Sequence, residues 1–292
     1  MSLQPRVVVV HRQTEYAELV ARHGTRDQAR FFLKQRGRDL DELESRHHLY
    51  RAVLEQVGNG VPVEWRRGAV ERADVARFLF APDDIIVVVG QDGLVANVAK
   101  YLQGQPVIGI DPEPGHNAGV LVTHGADAVG DLLRRPGQVE QRTMVEAVLD
   151  DGQRLLSLNE VFVGHPSHQS ARYLVQTTGA QPEHQSSSGI IITTGTGATG
   201  WGSSIARATK SDLHLPAPTE PRLLFFVREA WPSPATGTTV TEGELTETRL
   251  KVVVESDHLV AFGDGMESDP LPLTFGQTLD VGLAPERLNL VR

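Results

Sequence analysis

Three segments of the chain hold residues whose types and spacing could do chemistry. The first is Val87-Val88-Val89-Gly90-Gln91-Asp92-Gly93-Leu94, an apolar run that leaves through a Gly-x-Asp-Gly turn. If the run is a strand of a parallel sheet, the turn lies at the carboxyl edge, where ligands bind. Gly90 and Gly93 let the backbone approach a phosphate closely, and the amides that open a following helix favour an anion. An aspartate among phosphates is repelled by them, so Asp92 fits only as a metal ligand, a proton acceptor or an acceptor for a hydroxyl. A plain strand-to-helix connection can carry the same Asp-Gly turn.

The second segment is Ile190-Ile191-Ile192-Thr193-Thr194-Gly195-Thr196-Gly197-Ala198-Thr199-Gly200-Trp201. Its glycines predict an open backbone with exposed amides, and Thr194, Thr196 and Thr199 add hydroxyl donors. That composition suits phosphate oxygens or a ribose, and it also suits an ordinary flexible loop. Trp201 could stack on a base or plug a gap in the core. In the third segment, Leu156-Ser157-Leu158-Asn159-Glu160-Val161, a polar pair interrupts an alternating strand. Asn159 offers donors and an acceptor and Glu160 acceptors only, which suits a sugar diol; a solvent-facing strand end would read the same way. His165 and His168 have no third ligand at a clear spacing, so no metal site is assigned. Ser186-Ser187-Ser188-Gly189 precedes a strand, which is not where a hydrolase nucleophile sits.

The elements that must position these segments change character along the chain. Arg6 to Val10, Val61 to Trp65, Ile85 to Gly90 and Pro106 to Ile110 read as strands. Thr14 to about Val57 has apolar residues at helical spacing, broken by Gly24 and Gly37 into two or three helices. Ala69 to Phe80 and Leu94 to Leu102 read as further helices. Strands apolar on both faces that alternate with helices imply a parallel sheet covered by helices. After about Arg142 the pattern becomes short strands joined by turns: Arg154 to Val163, Gly189 to Thr194, Arg222 to Val227, Glu244 to Val254, His258 to Phe262 and Gln277 to Val281. Asp264-Gly265 reads as a two-residue hairpin turn. The expected fold is an α/β N-terminal domain with a parallel sheet, residues 1–145, and a mainly antiparallel all-β C-terminal domain, residues 146–292, whose last residues are candidates to pack back on the first domain.

Composition narrows the function classes. With 40% hydrophobic and 22% charged residues the chain is an ordinary globular one. The absence of cysteine removes thiolate nucleophiles, disulfides and iron–sulfur clusters. A formal net charge of −9 argues against nucleic acid as a partner. Aliphatic runs are far too short to span a bilayer and the N-terminus has no apolar signal core, so a cytoplasmic protein with no membrane partner is expected.

Taken together, Gly90-Gln91-Asp92-Gly93, the strand Pro106 to Ile110, Asn159-Glu160 and Gly189 to Trp201 follow an order and separation that resemble the NAD kinase family. The hallmarks of that family are a Gly-Gly-Asp-Gly loop, an Asn-Glu pair and a Gly-Asp-Gly strand running into Thr-Pro-Thr-Gly-Ser-Thr-Ala-Tyr. The resemblance runs from about Ile85 to the C-terminus and is that of a diverged member of the NAD kinase and diacylglycerol kinase-like superfamily. Gln91 stands where the family has its second glycine, Leu94 where it usually has threonine, and Ser188 where it has an aspartate that helps recognise the dinucleotide. Gly195, Ala198, Gly200 and Trp201 replace proline, serine, alanine and tyrosine of the later loop.

The resemblance implies an NAD kinase-like fold and an ATP-dependent phosphotransferase with an alcohol acceptor on NAD or an NAD-like nucleotide. The alternatives are a kinase for a small sugar, polyol or nucleoside, and a non-catalytic nucleotide sensor. Asp92 is then the general base or hydroxyl orienter. Gly90, Gln91 and Gly93, with Gly195, Thr196, Gly197, Thr199 and Gly200, meet the ATP phosphates. Asn159, Glu160, Ser188 and Trp201 meet the acceptor, and Mg2+ arrives with ATP. Asp111 and His116 lie on a loop that could line the site. A homo-oligomer, dimer or tetramer, is expected, and the helical stretch Thr25 to Val57 is left as a lid or a subunit contact.

Overall fold

A computed structural model describes residues 4–115 and 119–292; His116 therefore lies outside the described residues. The chain divides into two units, one holding the described residues through Val98, Gln105–Val139 and Asn289–Arg292, the other Ala99–Gly104 and Glu140–Leu288. The division falls at Val139/Glu140, where the sequence reading puts it at 145/146.

The first unit is α/β. Its elements are β1 (Arg6–His11), α1 (Glu15–His23), α2 (Arg26–Lys34), α3 (Leu40–Gly60), β2 (Arg66–Glu71), β3 (Asp84–Val89), α4 (Asp92–Ala99), β4 (Pro106–Ile110) and α5 (Val129–Arg134). The strands are parallel in the order β2-β1-β3-β4. β3 is buried along almost its whole length because it lies between β1 and β4 with cover on both faces, which explains its unbroken aliphatic sequence. The helices start where side chains accept the orphan amides of the first turn: Thr14 from Ala17, Thr25 from Gln28 and Asp39 from Asp41. They share a small core of Leu19, Ala29, Leu33, Leu40 and Leu43. Two expectations are corrected here. The second strand is Arg66–Glu71, not Val61 to Trp65, and Arg72–Arg77 is a 3-10 turn, so no helix runs from Ala69 to Phe80. β2 pairs only with β1 and buries only Val70, so its sequence carries no apolar signal.

The second unit is β-rich. It contains β5 (Val139–Leu149), β6 (Arg154–Ser157), β7 (Glu160–Gly164), β8 (Ala171–Gln176), β9 (Glu183–Ser187), β10 (Ile190–Thr193), α6 (Trp201–Thr209), β11 (Leu223–Val227), β12 (Glu242–Leu245), β13 (Leu250–Val254), β14 (His258–Gly263), β15 (Leu271–Thr274) and β16 (Thr278–Val291). An antiparallel sheet ordered β12-β11-β10-β7-β14-β15 packs through residues such as Val161, Ile190, Phe225 and Ala261 on a core shared with β5, β8, β13 and β16. β16 continues into the first unit, where Asn289 and Leu290 pair in parallel with Pro106 and Val107. The expected strand Arg154 to Val163 is two strands separated at Leu158-Asn159, and Glu244 to Val254 is likewise two. Asp264 and Gly265 do form a tight turn, with φ of 53° and 67° and Met266 N donating to Gly263 O at 3.0 Å. They do not close a hairpin, because β14 meets its partner β15 only from Leu271. Among the described residues no helix is long and apolar enough to cross a membrane.

Candidate functional site

The residues singled out in the sequence fall into two groups, one in each unit. In the first, β3 delivers Gly90 and Gln91 to the carboxyl edge of the parallel sheet, where Gly90 N donates to Ile110 O at 3.1 Å and α4 begins at Asp92. The Asp92 carboxylate is occupied. Its Oδ1 accepts from Leu121 N at 2.8 Å and Val122 N at 3.0 Å, and its Oδ2 from Val120 N at 2.8 Å. That segment is pressed against β4, since a Cβ on Gly109 would stand 2.1 Å from Leu121 O. A carboxylate offers about four lone-pair sites, so one on Oδ2 is left for a ligand hydroxyl. Asp111 accepts from Glu113 N at 2.9 Å and thereby shapes the loop after β4.

The glycines of the first turn differ from those of the second segment in what requires them. A Cβ on Gly93 would meet no atom within 4 Å, and its φ is not in the left-handed region. At Gly90 a Cβ would meet only the end of the Leu94 side chain, at 2.9 Å. In contrast, a Cβ on Gly195 would stand 2.1 Å from Ala217 O and one on Gly197 2.2 Å from Asn159 O. These two glycines are there because backbone packs directly on backbone.

The second segment is therefore not the open loop expected. Gly195, Thr196, Gly197 and Ala198 are buried, while Thr199 and Gly200 are exposed. The amides of Thr196 and Gly197 donate to Thr194 Oγ1, that of Ala198 to Thr194 O, that of Thr199 to Thr196 O and that of Gly200 to Gly197 O. With those amides used inside the loop, the expected cradle of exposed N–H groups is absent from Thr196 to Gly200. Thr194 also ties the loop to the third segment: its N donates to Asn159 O at 2.9 Å and its hydroxyl to Leu158 O at 2.6 Å.

The structure thus brings Asn159 and Glu160 together with the Gly/Thr loop. Glu160 opens β7 and is 8% exposed, and its carboxylate makes no hydrogen bond among the described residues. Burial, and secondarily the charge of Asp264, push its pKa up to about 7. Asp264 was legible only as a turn residue, yet its carboxylate accepts from Leu158 N at 3.0 Å and Asn159 N at 2.6 Å and so props the turn that presents the pair. Burial pushes Asp264 up to about 6 against the lowering effect of those amides. Arg142 also escaped the sequence reading. It is 2% exposed, its Nε lies 2.6 Å from Glu140 Oε1 and its Nη1 donates to Thr196 Oγ1 at 3.3 Å. An arginine inside a strand of alternating letters gives no sign that it faces inward.

Ser188 and Trp201 belong to the same unit. Ser188 is exposed in the turn before β10, its N donating to Arg228 O at 2.8 Å. Trp201 stacks on Phe162 with centroids 6.1 Å apart and carries the Arg228 guanidinium 5.7 Å from its ring, so it is packed on one face and partly exposed. His165 holds Ser167 through Nδ1, and no group of three or more His, Asp or Glu among the described residues could hold a metal ion. Neither a scan of protein-family models nor a search of curated proteins finds a match to this chain.

Proposed function

We propose that the chain is an ATP-dependent phosphotransferase of NAD kinase-like fold whose acceptor is a hydroxyl of NAD or an NAD-like nucleotide. The observation that carries this reading is Glu160, a buried carboxyl beside Asn159 with no hydrogen-bond partner among the described residues and a pKa of about 7. Buried groups tuned to neutrality mark functional sites, and an ionised carboxylate next to an amide suits a vicinal diol. In this reading the first unit takes the donor. Gly93 supports it, because glycine in a helix costs about 0.5–1 kcal/mol and neither packing nor backbone conformation calls for one there. Close approach of a phosphate would. Mg2+ enters as part of the ATP complex, held by phosphate oxygens.

The chemistry asked of the protein is positioning. Asn159 and Glu160 bind the acceptor sugar. In the transfer the acceptor oxygen bonds to the γ-phosphorus as the bond to the ADP oxygen breaks, and the hydroxyl proton goes to a carboxylate, the role read for Asp92. A second reading, a nucleotide sensor without turnover, is favoured by the three amides that already hold Asp92.

Incubation with ATP, Mg2+ and a panel of NAD, nucleosides and sugars, followed by detection of ADP and of the phosphorylated acceptor, separates these readings. ADP with phosphorylated NAD or a related nucleotide is the expected result. ATP binding without ADP for any acceptor leaves the sensor. Gly93→Ala gives an independent check: stability should stay the same or rise by about 0.5 kcal/mol, while the ATP Kd rises at least tenfold. Unchanged ATP affinity in that variant would show that no phosphate comes near Gly93.

A further inference from the structure

The helices after β1 have no task in the reaction just described, yet they wall a cleft of about 610 Å³, open mouth included, lined wholly by residues of the first unit. Its floor is Gly90 and Gln91, and the loops leaving β1 and β4 contribute Arg12, Pro112 and Glu113. One buried hydroxyl joins floor to wall: Tyr50 Oη of α3 donates to Val89 O at 2.8 Å and accepts from Arg12 N at 3.2 Å. On the wall, the rings of Tyr16 and His47 lie 5.1 Å apart, and His47 Nδ1 is 2.7 Å from the Thr14 hydroxyl. Leu43 completes an apolar, partly aromatic surface.

The charges lining the cleft cancel in pairs, with one exception. Arg46 grips Glu113 through Nε at 3.1 Å and Nη2 at 2.8 Å, and Glu15 takes Arg38 Nη1 at 2.6 Å. The Arg12 guanidinium has no hydrogen bond or ion pair among the described residues. An uncompensated cation lining the cleft attracts an anion, and guanidinium matches phosphate geometry well. Only about 90 Å³ of the cleft is enclosed, so a nucleoside would lie across its open mouth against the wall.

We propose that this cleft seats the base and sugar of the phosphate donor against the Tyr16–His47 wall, with Arg12 on its phosphates, so that the donor is a nucleoside triphosphate and inorganic polyphosphate is not recognised. The proposal rests on the reading of Gly90-Gln91 as the place where donor phosphates pass. It also gives the helical layer its role: the helices supply the half of the donor site that reads the nucleoside.

The test is calorimetric titration of the full chain with Mg-ATP and, separately, Mg-tripolyphosphate, with no acceptor present. ATP should bind at least tenfold more tightly than tripolyphosphate. Arg12→Gln, at an exposed position, should weaken ATP tenfold or more. Tyr16→Leu should weaken ATP about fivefold and leave tripolyphosphate unchanged; if that variant melts early, His47→Ala reads the same wall. Equal affinities for the two ligands, or wild-type ATP binding in Arg12→Gln, would overturn the proposal. The two readings fail separately. Arg12-dependent ATP binding in a chain that makes no ADP removes the kinase and keeps the cleft, whereas ADP formation indifferent to Arg12→Gln does the reverse.

Discussion

Asp264→Ala is expected to lower global stability by about 3 kcal/mol, measured by urea unfolding at pH 7. Two backbone amides, Leu158 N and Asn159 N, lose the carboxylate that accepts them, and each buried donor left unmet costs about 1–3 kcal/mol. Alanine must also adopt the left-handed φ of 53° that aspartate tolerates, at about 1 kcal/mol. Relief of the buried charge of Asp264 offsets part of the loss. Asp264→Gly separates the causes, because it removes the carboxylate and relaxes the φ constraint. It should be milder than alanine by about 1 kcal/mol. The effect on the site is equally specific: with the Asn159–Glu160 turn unpropped, acceptor KM should rise far more than ATP KM. An Asp264→Ala variant as stable as the parent would mean that the turn is held by Thr194 alone.

What could be read from the sequence follows the range of the interactions. β3 and its exit turn were legible because a strand buried on both faces must be apolar at every position, and the glycines mark its end. The Asn159-Glu160 pair was legible because two polar letters interrupt an alternating strand. The support of that pair was not, since Asp264 lies 105 positions beyond Asn159 and looks locally like any Asp-Gly turn. The same holds for the cleft. Tyr16, Arg46 and His47 sit among the polar letters of an amphipathic helical region and Arg12 in the loop before it, and only the folding of α3 back over the sheet edge makes them neighbours.

The Gly/Thr loop shows a different limit. Its composition reports conformational freedom, which predicts exposed amides. Glycine serves equally where two backbones must touch, and the 2.2 Å that a Cβ on Gly197 would leave to Asn159 O shows that this is the use here. Thr199 is exposed, with its hydroxyl donating to Thr196 O at 2.8 Å, and the loop holds the Leu158-Asn159 segment in place. β2 failed for the opposite reason. An edge strand with one buried residue needs no hydrophobic pattern, so a periodicity search passes over it.

Glu160→Gln should raise stability at pH 8 by about 3 kcal/mol and leave it nearly unchanged at pH 4. The sign follows from proton binding. Burial, with a smaller contribution from Asp264, raises the folded-state pKa of Glu160 to about 7 from an ordinary 4.5. Between those values the folded chain binds more protons than the unfolded one, so wild-type stability falls as pH rises through the window and levels off above it. Glutamine mimics the protonated acid, which removes that fall. Asp264, raised to about 6 from 3.8, has the same sign over a lower window and remains in the variant. The slope from about pH 4.5 to 6 should therefore fall to the contribution of Asp264 alone, while the slope from pH 6 to 7 flattens. Urea titrations at half-unit pH steps resolve the two. The same substitution removes the anionic acceptor proposed for the sugar diol, so under that proposal the variant should be more stable and yet bind the alcohol substrate at least tenfold less tightly, with ATP affinity unaltered. Wild-type acceptor affinity should accordingly improve as pH rises through 7, in the range where folding stability declines. A variant whose stability curve overlays the wild type at pH 8 would mean that Glu160 ionises like a surface carboxylate, and the main support for an alcohol-binding site would be gone.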